Sequence, residues 1–310
     1  MRFSSVRPSR RALLTTGGAA ALAAVAAGAG TAHAAAAAAA RSRGDRVTRE
    51  LRTLEREHGA RLGVFALDTG TGRTVAHRAD ERFPMCSVFK TLAVAAVLRD
   101  LDRNGEFLSR RLRYSEAYVE KSGYSPVTEL RENLRHGMTV AALSDAAIRH
   151  SDNTAANLLL RELGGPTAVT RFCRSVGDGV TRLDRWEPEL NSAEPWRETD
   201  TTTPGAIGRT YGRLVLGNAL APHDRERLTG WLLGNTTSTE RFRKGLPADW
   251  VLADKTGGGA YGSNNDVGIA WPPGRPPVVL AVLTTKPAPD APADNPLIAR
   301  TAEVLAAALT

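Results

Sequence analysis

The sequence predicts an α+β protein in which a five-stranded antiparallel sheet is flanked by N- and C-terminal helices, with an all-α domain inserted between its strands. Strand-like segments lie near both ends of the chain, whereas the middle shows long helical periodicity. Because the two ends must then build one layer and the middle another, the active site is expected in the cleft between them.

The first two strands follow an amphipathic helix predicted at about residues 44–58. "RLGVFALD" and "RTVAHRAD" are joined by "TGTG", which is typical of a hairpin. A nucleotide-binding loop would need a helix to open after Gly72, and the sequence predicts none there.

The remaining elements follow in two blocks. Apolar residues at helical spacing predict helices in "SVFKTLAVAAVLRDLD", "TVAALSDAAIRH", "NTAANLLLRELGG" and "PGAIGRTYGRLVLG". Three strands are then predicted in "WVLADKTG", "SNNDVGIAWP" and "PPVVLAVLTTK", with a closing helix at about 295–309. We therefore expect a discontinuous α/β domain at 44–86 and 218–310, and an all-α domain at 87–217 with a polar loop at about 182–200.

The charge of the chain does not indicate a nucleic-acid partner. The formal net charge is +8, but the first 40 residues contain four arginines and no acidic residue, so only +4 belongs to the rest. Arginine and glutamate alternate along predicted helices, which is typical of a solvated surface. We expect a monomer that acts on a small molecule.

The N-terminus predicts an export signal. "SRRALL" precedes a weakly apolar stretch ending in "TAHA", a pattern similar to a twin-arginine signal peptide cleaved near Ala34. A membrane-spanning helix is the alternative, but the stretch is mostly Ala and Gly. Residues 1–34 are thus interpreted as the signal and 35–43 as an Ala-rich spacer. The mature protein is expected outside the cytoplasm, without stable membrane association.

Two cysteines, Cys86 and Cys173, complete this picture. They could pair in an oxidising compartment, although we expect two free, buried thiols, because pairing needs close α-carbons. No Cys or His spacing matches a metal site, and HExxH is absent, so neither a metal nor a cofactor is expected.

"FPMCSVFK" contains the first candidate for chemistry. The chain has 36 arginines but five lysines, and Lys90 lies in an apolar helix three residues after Ser87. Unlike arginine, a buried lysine can lose its proton and act as a base. Residues at i and i+3 share a helix face, so the Ser87 hydroxyl is expected within reach of the amine. A capped helix with a snorkelling lysine explains this pair equally well.

Two further motifs decide between these interpretations. "SDN" (Ser151–Asn153) falls between helices, and "KTG" (Lys255–Gly257) ends a strand. SxxK, SDN and KTG in this order resemble the serine β-lactamase and penicillin-binding protein superfamily. "TRLDRWEPELNSAEPWRETD" adds Glu187 and Asn191, and this segment is similar to the Ω-loop of class A β-lactamases.

The resemblance implies a role for each matching residue. Ser87 would attack the β-lactam carbonyl, with Lys90 or a Glu187-held water as the acylation base. Ser151 would relay a proton to the leaving nitrogen, and Glu187 would activate the deacylating water. It implies substrate-binding positions at Tyr124, Asn153, Asn191, Arg241, Lys255, Thr256, Gly257 and Gly258. Arg185 and Asp200 would close the loop neck, and the Glu187–Pro188 bond would be cis.

Some positions depart from the family pattern. Asn264 occupies a place where many members carry an arginine, so Arg241 becomes the candidate carboxylate clamp. Gly259 stands where some members carry a cysteine that pairs with the one before the nucleophile, so Cys86 cannot form that bridge. A penicillin-binding DD-peptidase or a non-catalytic β-lactam binder remains the alternative function.

Overall fold

An antiparallel sheet of five strands organises the computed structural model, which describes residues 44–309. The predicted signal peptide, the predicted spacer and the paired arginines lie outside the described residues. In spatial order the strands are β2 (Thr74–His77), β1 (Arg61–Asp68), β9 (Val278–Thr285), β8 (Asn264–Trp271) and β7 (Val251–Gly258). The predicted fold class is confirmed.

Shorter strands pair outside this sheet: β3 (Phe83–Pro84) with β6 (Thr201–Thr202), and β4 (Arg111–Leu112) with β5 (Met138–Thr139). The first helix, α1, covers residues 44–57. The helices that follow are α2 (Phe89–Ala96), α3 (Glu106–Ser109), α4 (Glu116–Ser122), α5 (Arg131–His136), α6 (Val140–Arg149), α7 (Asn153–Glu162), α8 (Thr167–Ser175), α9 (Pro204–Val215), α10 (Pro222–Leu233), α11 (Phe242–Gly245) and α12 (Asn295–Leu309). In the part of the chain that the structure describes, no helix is both long and apolar enough to cross a bilayer.

Side chains alternate between the two faces of the sheet along each strand, and both faces are covered by helices. On one face Val64 and Leu280 join a cluster with residues of α1 and α12. On the other, Phe65 and Ala281 join the larger cluster that includes α2 and α9. This double burial explains why β9 reads as a continuous apolar run.

Helix α9 lies at the junction of the two predicted domains. A Cβ at its Gly208 would come within 2.7 Å of Phe65 Cδ1, so glycine permits close approach of the helix to the sheet. From Val47 onward the chain forms one compact unit. The domain boundaries at 86/87 and 217/218 stay a prediction.

The nucleophile segment departs from one continuous helix. Cys86–Val88 form a 3₁₀ turn, α2 follows, and Val97–Leu101 form a π-helical turn. Every residue of α2 is buried, as expected for a helix that is apolar all round. Ser87 thus lies at the start of a helical rod, Cys86–Leu101, whose central helix α2 is completely buried.

Candidate active site

Ser87 lies at the start of this rod and is 7% exposed. Its Oγ donates to Glu187 Oε1 at 3.4 Å, and within the described chain it makes no hydrogen bond to Lys90. The preceding residue, Cys86, has a φ of 45°, which is uncommon for a non-glycine residue. Strained backbone of this kind is concentrated at functional sites.

The Lys90 amine is completely buried and has several oxygen partners. It donates to Ser151 O and to Asn153 Oδ1, each at 2.7 Å. It also lies 3.1 Å from Glu187 Oε1, so Ser87 and Lys90 share one carboxylate oxygen. Ser87 Oγ and Lys90 Nζ are therefore connected through Glu187 Oε1, which both atoms approach.

Ser151 is held between two lysines. Lys255 Nζ donates to its Oγ at 3.1 Å, and Lys90 Nζ lies 3.4 Å from the same atom. The residue has a φ of 58°, and the next residue, Asp152, caps α7 by accepting from Ala155 N at 2.8 Å. The SDN motif thus fixes a hydroxyl between two amines.

Burial shifts the pKa of both lysines downward. It lowers the pKa of Lys90, although the Glu187 carboxylate opposes the shift. Burial, reinforced by the charges of Lys90 and Arg241, holds the pKa of Lys255 well below its usual value. Both lysines beside Ser151 therefore release a proton more readily than an exposed lysine, which favours proton transfer at this hydroxyl.

Glu187 is 2% exposed and lies in the predicted polar loop. The Glu187–Pro188 bond is cis, as predicted. Its Oε2 accepts from Asn191 Nδ2, and the buried Asn191 Oδ1 has no partner among the described residues. Arg185 Nε donates to Asp200 Oδ2 at 2.5 Å, so the predicted ion pair closes the loop neck.

The KTG strand passes directly beside the nucleophile. A Cβ at Gly257 would lie 2.9 Å from Met85 O and 3.2 Å from Ser87 N, so a side chain there would disturb the turn. Gly258 ends β7 and is exposed. Thr256 Oγ1 is hydrogen-bonded to Thr237 Oγ1, a partner that the sequence did not suggest.

Arg241 and Tyr124 also lie near the motifs. Arg241 Nη1 donates to Gly257 O at 2.9 Å and to Asn265 O at 2.8 Å, which ties it to the KTG strand. Burial lowers the pKa of this arginine. Tyr124 is 63% exposed, and its carbonyl accepts from Asn153 N.

A cavity of about 520 Å³ touches the loop next to this site. Its lining includes Glu187, Trp186 and Asn157, whereas Ser87 and Lys90 do not contribute. The loop therefore has one face toward the nucleophile and another toward this cavity.

Comparisons with known proteins agree with this arrangement. A model described as "Beta-lactamase enzyme family" matches residues 46–309. Beta-lactamases of Streptomyces fradiae and Streptomyces lavendulae are each 72% identical over the full length of both chains. The chain belongs to the beta-lactamase family.

The solved beta-lactamase from Streptomyces albus G has the same fold. It is 66% identical, with a TM-score of 0.85 over 86% of this chain and all of that one. The predicted hydrolysis of β-lactams is confirmed by family membership and by these relatives. It follows that a β-lactam is the enzyme's substrate.

Several residues of the site escaped the sequence interpretation. Asn157 makes two hydrogen bonds to the backbone of Glu187, and its position four residues after Asn153 on α7 could have indicated a shared face. Asp254 and Asp266 are completely buried, are hydrogen-bonded to each other through their side chains, and act on Arg241 through their charges. No spacing rule joins them because they lie on separate strands. Cys86 and Cys173 are free and buried, as expected.

Proposed function

We propose that this β-lactamase is a class A serine hydrolase in which Ser87 is the nucleophile and Glu187 activates the deacylating water. The observation that carries the proposal is the shared oxygen. Glu187 Oε1 lies 3.4 Å from Ser87 Oγ and 3.1 Å from Lys90 Nζ, with all three side chains buried. A carboxylate fixed in this way beside a serine is placed to act as a general base.

Acylation begins when Ser87 Oγ attacks the lactam carbonyl carbon. The ring C–N bond breaks, and the nitrogen takes a proton from Ser151, which two lysines hold at 3.1 and 3.4 Å. The backbone N–H groups of Ser87 and Gly258 are proposed as the oxyanion donors, because β7 packs directly against the nucleophile turn. The Ser87 proton passes either to Glu187 or to a neutral Lys90. Ser151 then regains a proton through Lys90, whose Nζ lies 3.4 Å from Ser151 Oγ and 3.1 Å from Glu187 Oε1.

Deacylation requires a water that attacks the ester carbon. Glu187 accepts a proton from that water, and the free, buried Oδ1 of Asn191 is positioned as a second acceptor. The C–Oγ bond then breaks and Ser87 regains its proton. Nothing in this scheme requires a metal or an organic cofactor.

The carboxylate of the substrate is proposed to bind at the KTG end of the cleft. Lys255 supplies positive charge and Thr256 a hydroxyl. Arg241 contributes its charge to the same end, although its Nη1 is already donated to the backbone of Gly257 and Asn265. Asn153 and Tyr124 are proposed to contact the rest of the substrate.

The test is to trap the acyl-enzyme. Glu187→Ala, mixed with a penicillin and analysed by mass spectrometry, is expected to carry one adduct on Ser87, whereas the parent enzyme turns over many equivalents. Glu189→Ala, a change at an exposed position two residues along the same loop, is the matched control. A Glu187→Ala enzyme that cycles as fast as the parent would remove Glu187 from the mechanism.

The same variant assigns the acylation base. If Lys90 takes the Ser87 proton, acylation in Glu187→Ala keeps the parental rate. If Glu187 takes it, acylation slows by about 10²–10⁴-fold, the usual worth of a general base. Ser87→Ala is expected to show no adduct in either case.

We further propose that the enzyme is exported through its twin arginines, is cleaved near Ala34 and works as a monomer. Support comes from the paired Arg10 and Arg11 and from the "TAHA" segment. Replacing both arginines with lysine should abolish export in a secreting host, with cell-associated precursor as the readout. A mature N-terminus far from Ala34, or a dimer by light scattering, would contradict the respective proposal.

A further inference from the structure

Three potential metal ligands meet away from the active site. Asp102 ends the helical segment that begins near Ser87, while His223 and Asp224 lie in the first turn of α10. One ligand atom from each residue, two carboxylate oxygens and one imidazole nitrogen, lies within 4.8 Å of the others. At about 1.5 Å of rise per residue, this cluster is roughly 22 Å along the rod from Ser87.

The environment of Asp224 distinguishes this cluster from an ordinary group of surface carboxylates. The residue is 6% exposed, and its Oδ1 is fully buried without a hydrogen bond in the described part of the chain. His223 Nε2 lies 3.1 Å from this oxygen, although the imidazole is charged only when protonated. This contact does not meet hydrogen-bond geometry, so the buried oxygen stays unpaired, which is costly unless a cation compensates it.

Asp102 adds a second carboxylate to the cluster. Its two oxygens accept from the backbone N–H groups of Gly105 at 2.9 Å and Leu108 at 3.0 Å. These bonds fix its position. Two carboxylates are thus held close together, with one imidazole as the adjacent ligand.

We propose that Asp102, His223 and Asp224 bind a divalent transition-metal ion, with Zn²⁺ as the probe. Imidazole nitrogen and carboxylate oxygen are both zinc ligands, at about 2.0–2.2 Å from the metal. In tetrahedral geometry, donors bound at these lengths lie about 3.3–3.6 Å apart, so ligand atoms that now lie within 4.8 Å of one another need to approach by up to about 1.5 Å. The exposed His223 can make that shift, and solvent completes the coordination.

The bound ion would fasten the far end of the nucleophile rod to α10. Its effect is therefore expected on stability, with little change in the rate of β-lactam hydrolysis. In this respect the site is independent of the chemistry proposed for Ser87.

The experiment measures Zn²⁺ binding to the chelator-treated, untagged mature enzyme by titration calorimetry, with thermal unfolding in parallel. One Zn²⁺ per chain is expected, with a rise in Tm and an unchanged kcat. His223→Gln should weaken binding at least about tenfold, whereas His136→Gln, which changes another exposed histidine, should leave it unchanged.

Asp224→Asn separates binding from folding. Without metal this variant should be at least as stable as the parent, because a repulsive buried charge is removed, and added Zn²⁺ should no longer raise its Tm. The proposal is overturned if the parent shows no saturable binding, or if His223→Gln and Asp224→Asn bind Zn²⁺ as tightly as the parent.

Discussion

Replacement of Asn157 by leucine should separate the two halves of the catalytic cycle. Asn157 is 5% exposed. Its Nδ2 donates to Glu187 O at 2.9 Å, and its Oδ1 accepts from Glu187 N at 3.0 Å. Leucine has similar volume but can make neither bond, so two backbone groups of the general base lose their partners.

The magnitude follows from these two groups. An unsatisfied buried polar group costs about 1–3 kcal/mol, so the two groups together destabilise the native state by about 2–6 kcal/mol. For a protein of this size each kcal/mol lowers Tm by about 2–4 °C, and the fall should be at least about 4 °C. If the Glu187 carboxylate moves by about 1 Å, deacylation should slow on the order of 100-fold.

Stopped-flow hydrolysis of a chromogenic cephalosporin distinguishes the steps. Asn157→Leu should show a burst near one equivalent and then slow turnover, because Ser87 lies on a separate, fully packed segment. Asn218→Leu, at an exposed position, is the control and should show no burst. Equal slowing of acylation and deacylation, or parental kinetics with parental Tm, would refute the reasoning.

Three further predictions concern buried titratable groups. Burial and nearby cations lower the pKa of Lys255 in the native state, whereas the unfolded residue stays protonated up to about pH 10.5. The unfolding free energy of the parent minus that of Lys255→Met should therefore rise as pH approaches 10.5 from below, by up to about 1.4 kcal/mol per pH unit, and a flat difference contradicts this. Burial and the neighbouring Asp254 raise the pKa of Asp266 well above 3.8, so its contribution to stability falls as pH rises. Asp266→Asn should therefore gain stability relative to the parent as pH rises above about 3.8. Denaturant unfolding at several pH values tests both predictions. The prediction for Asp266→Asn is contradicted if the difference in unfolding free energy between this variant and the parent is the same at every pH. Burial, with a contribution from the Glu187 charge, raises the pKa of the Cys86 thiol to about 12, and Cys173 is also buried. Iodoacetamide at about pH 8 should therefore label the native enzyme at least about 100-fold more slowly than the unfolded enzyme. Rapid labelling of the native enzyme, measured by mass spectrometry, would contradict this prediction.

The main elements of the fold could be predicted because their signals are local. β1 occupies the residues of "RLGVFALD", and the closing helix spans Asn295–Leu309. Alternating apolar residues and glycine turns suffice for such elements. The two-residue pairing of Phe83–Pro84 with Thr201–Thr202 and the π-helical turn at Val97–Leu101 depend on tertiary contacts, for which the sequence carries no periodic signal.

The site shows the same division. The motifs SxxK, SDN and KTG predicted which residues belong to the site, and the sequence of the polar loop predicted the glutamate. The connection of Ser87 to Lys90 through Glu187 was not predicted, because helical spacing describes one element and not the loop that packs over it. The cluster of Asp102, His223 and Asp224 escaped for a related reason, since its ligands come from two separate segments.

The loop that carries Glu187 is anchored through its backbone and its neck. The side chain of Asn157 is hydrogen-bonded to the main chain of Glu187, and the ion pair of Arg185 with Asp200 closes the neck of the loop. The exposed side chains of Glu189 and Trp196 take no part in either anchor. Mutations at those outer positions can therefore accumulate without displacing the general base. The loop can acquire a new outer surface, and with it new selectivity or new recognition by inhibitors, while the rate of deacylation is preserved.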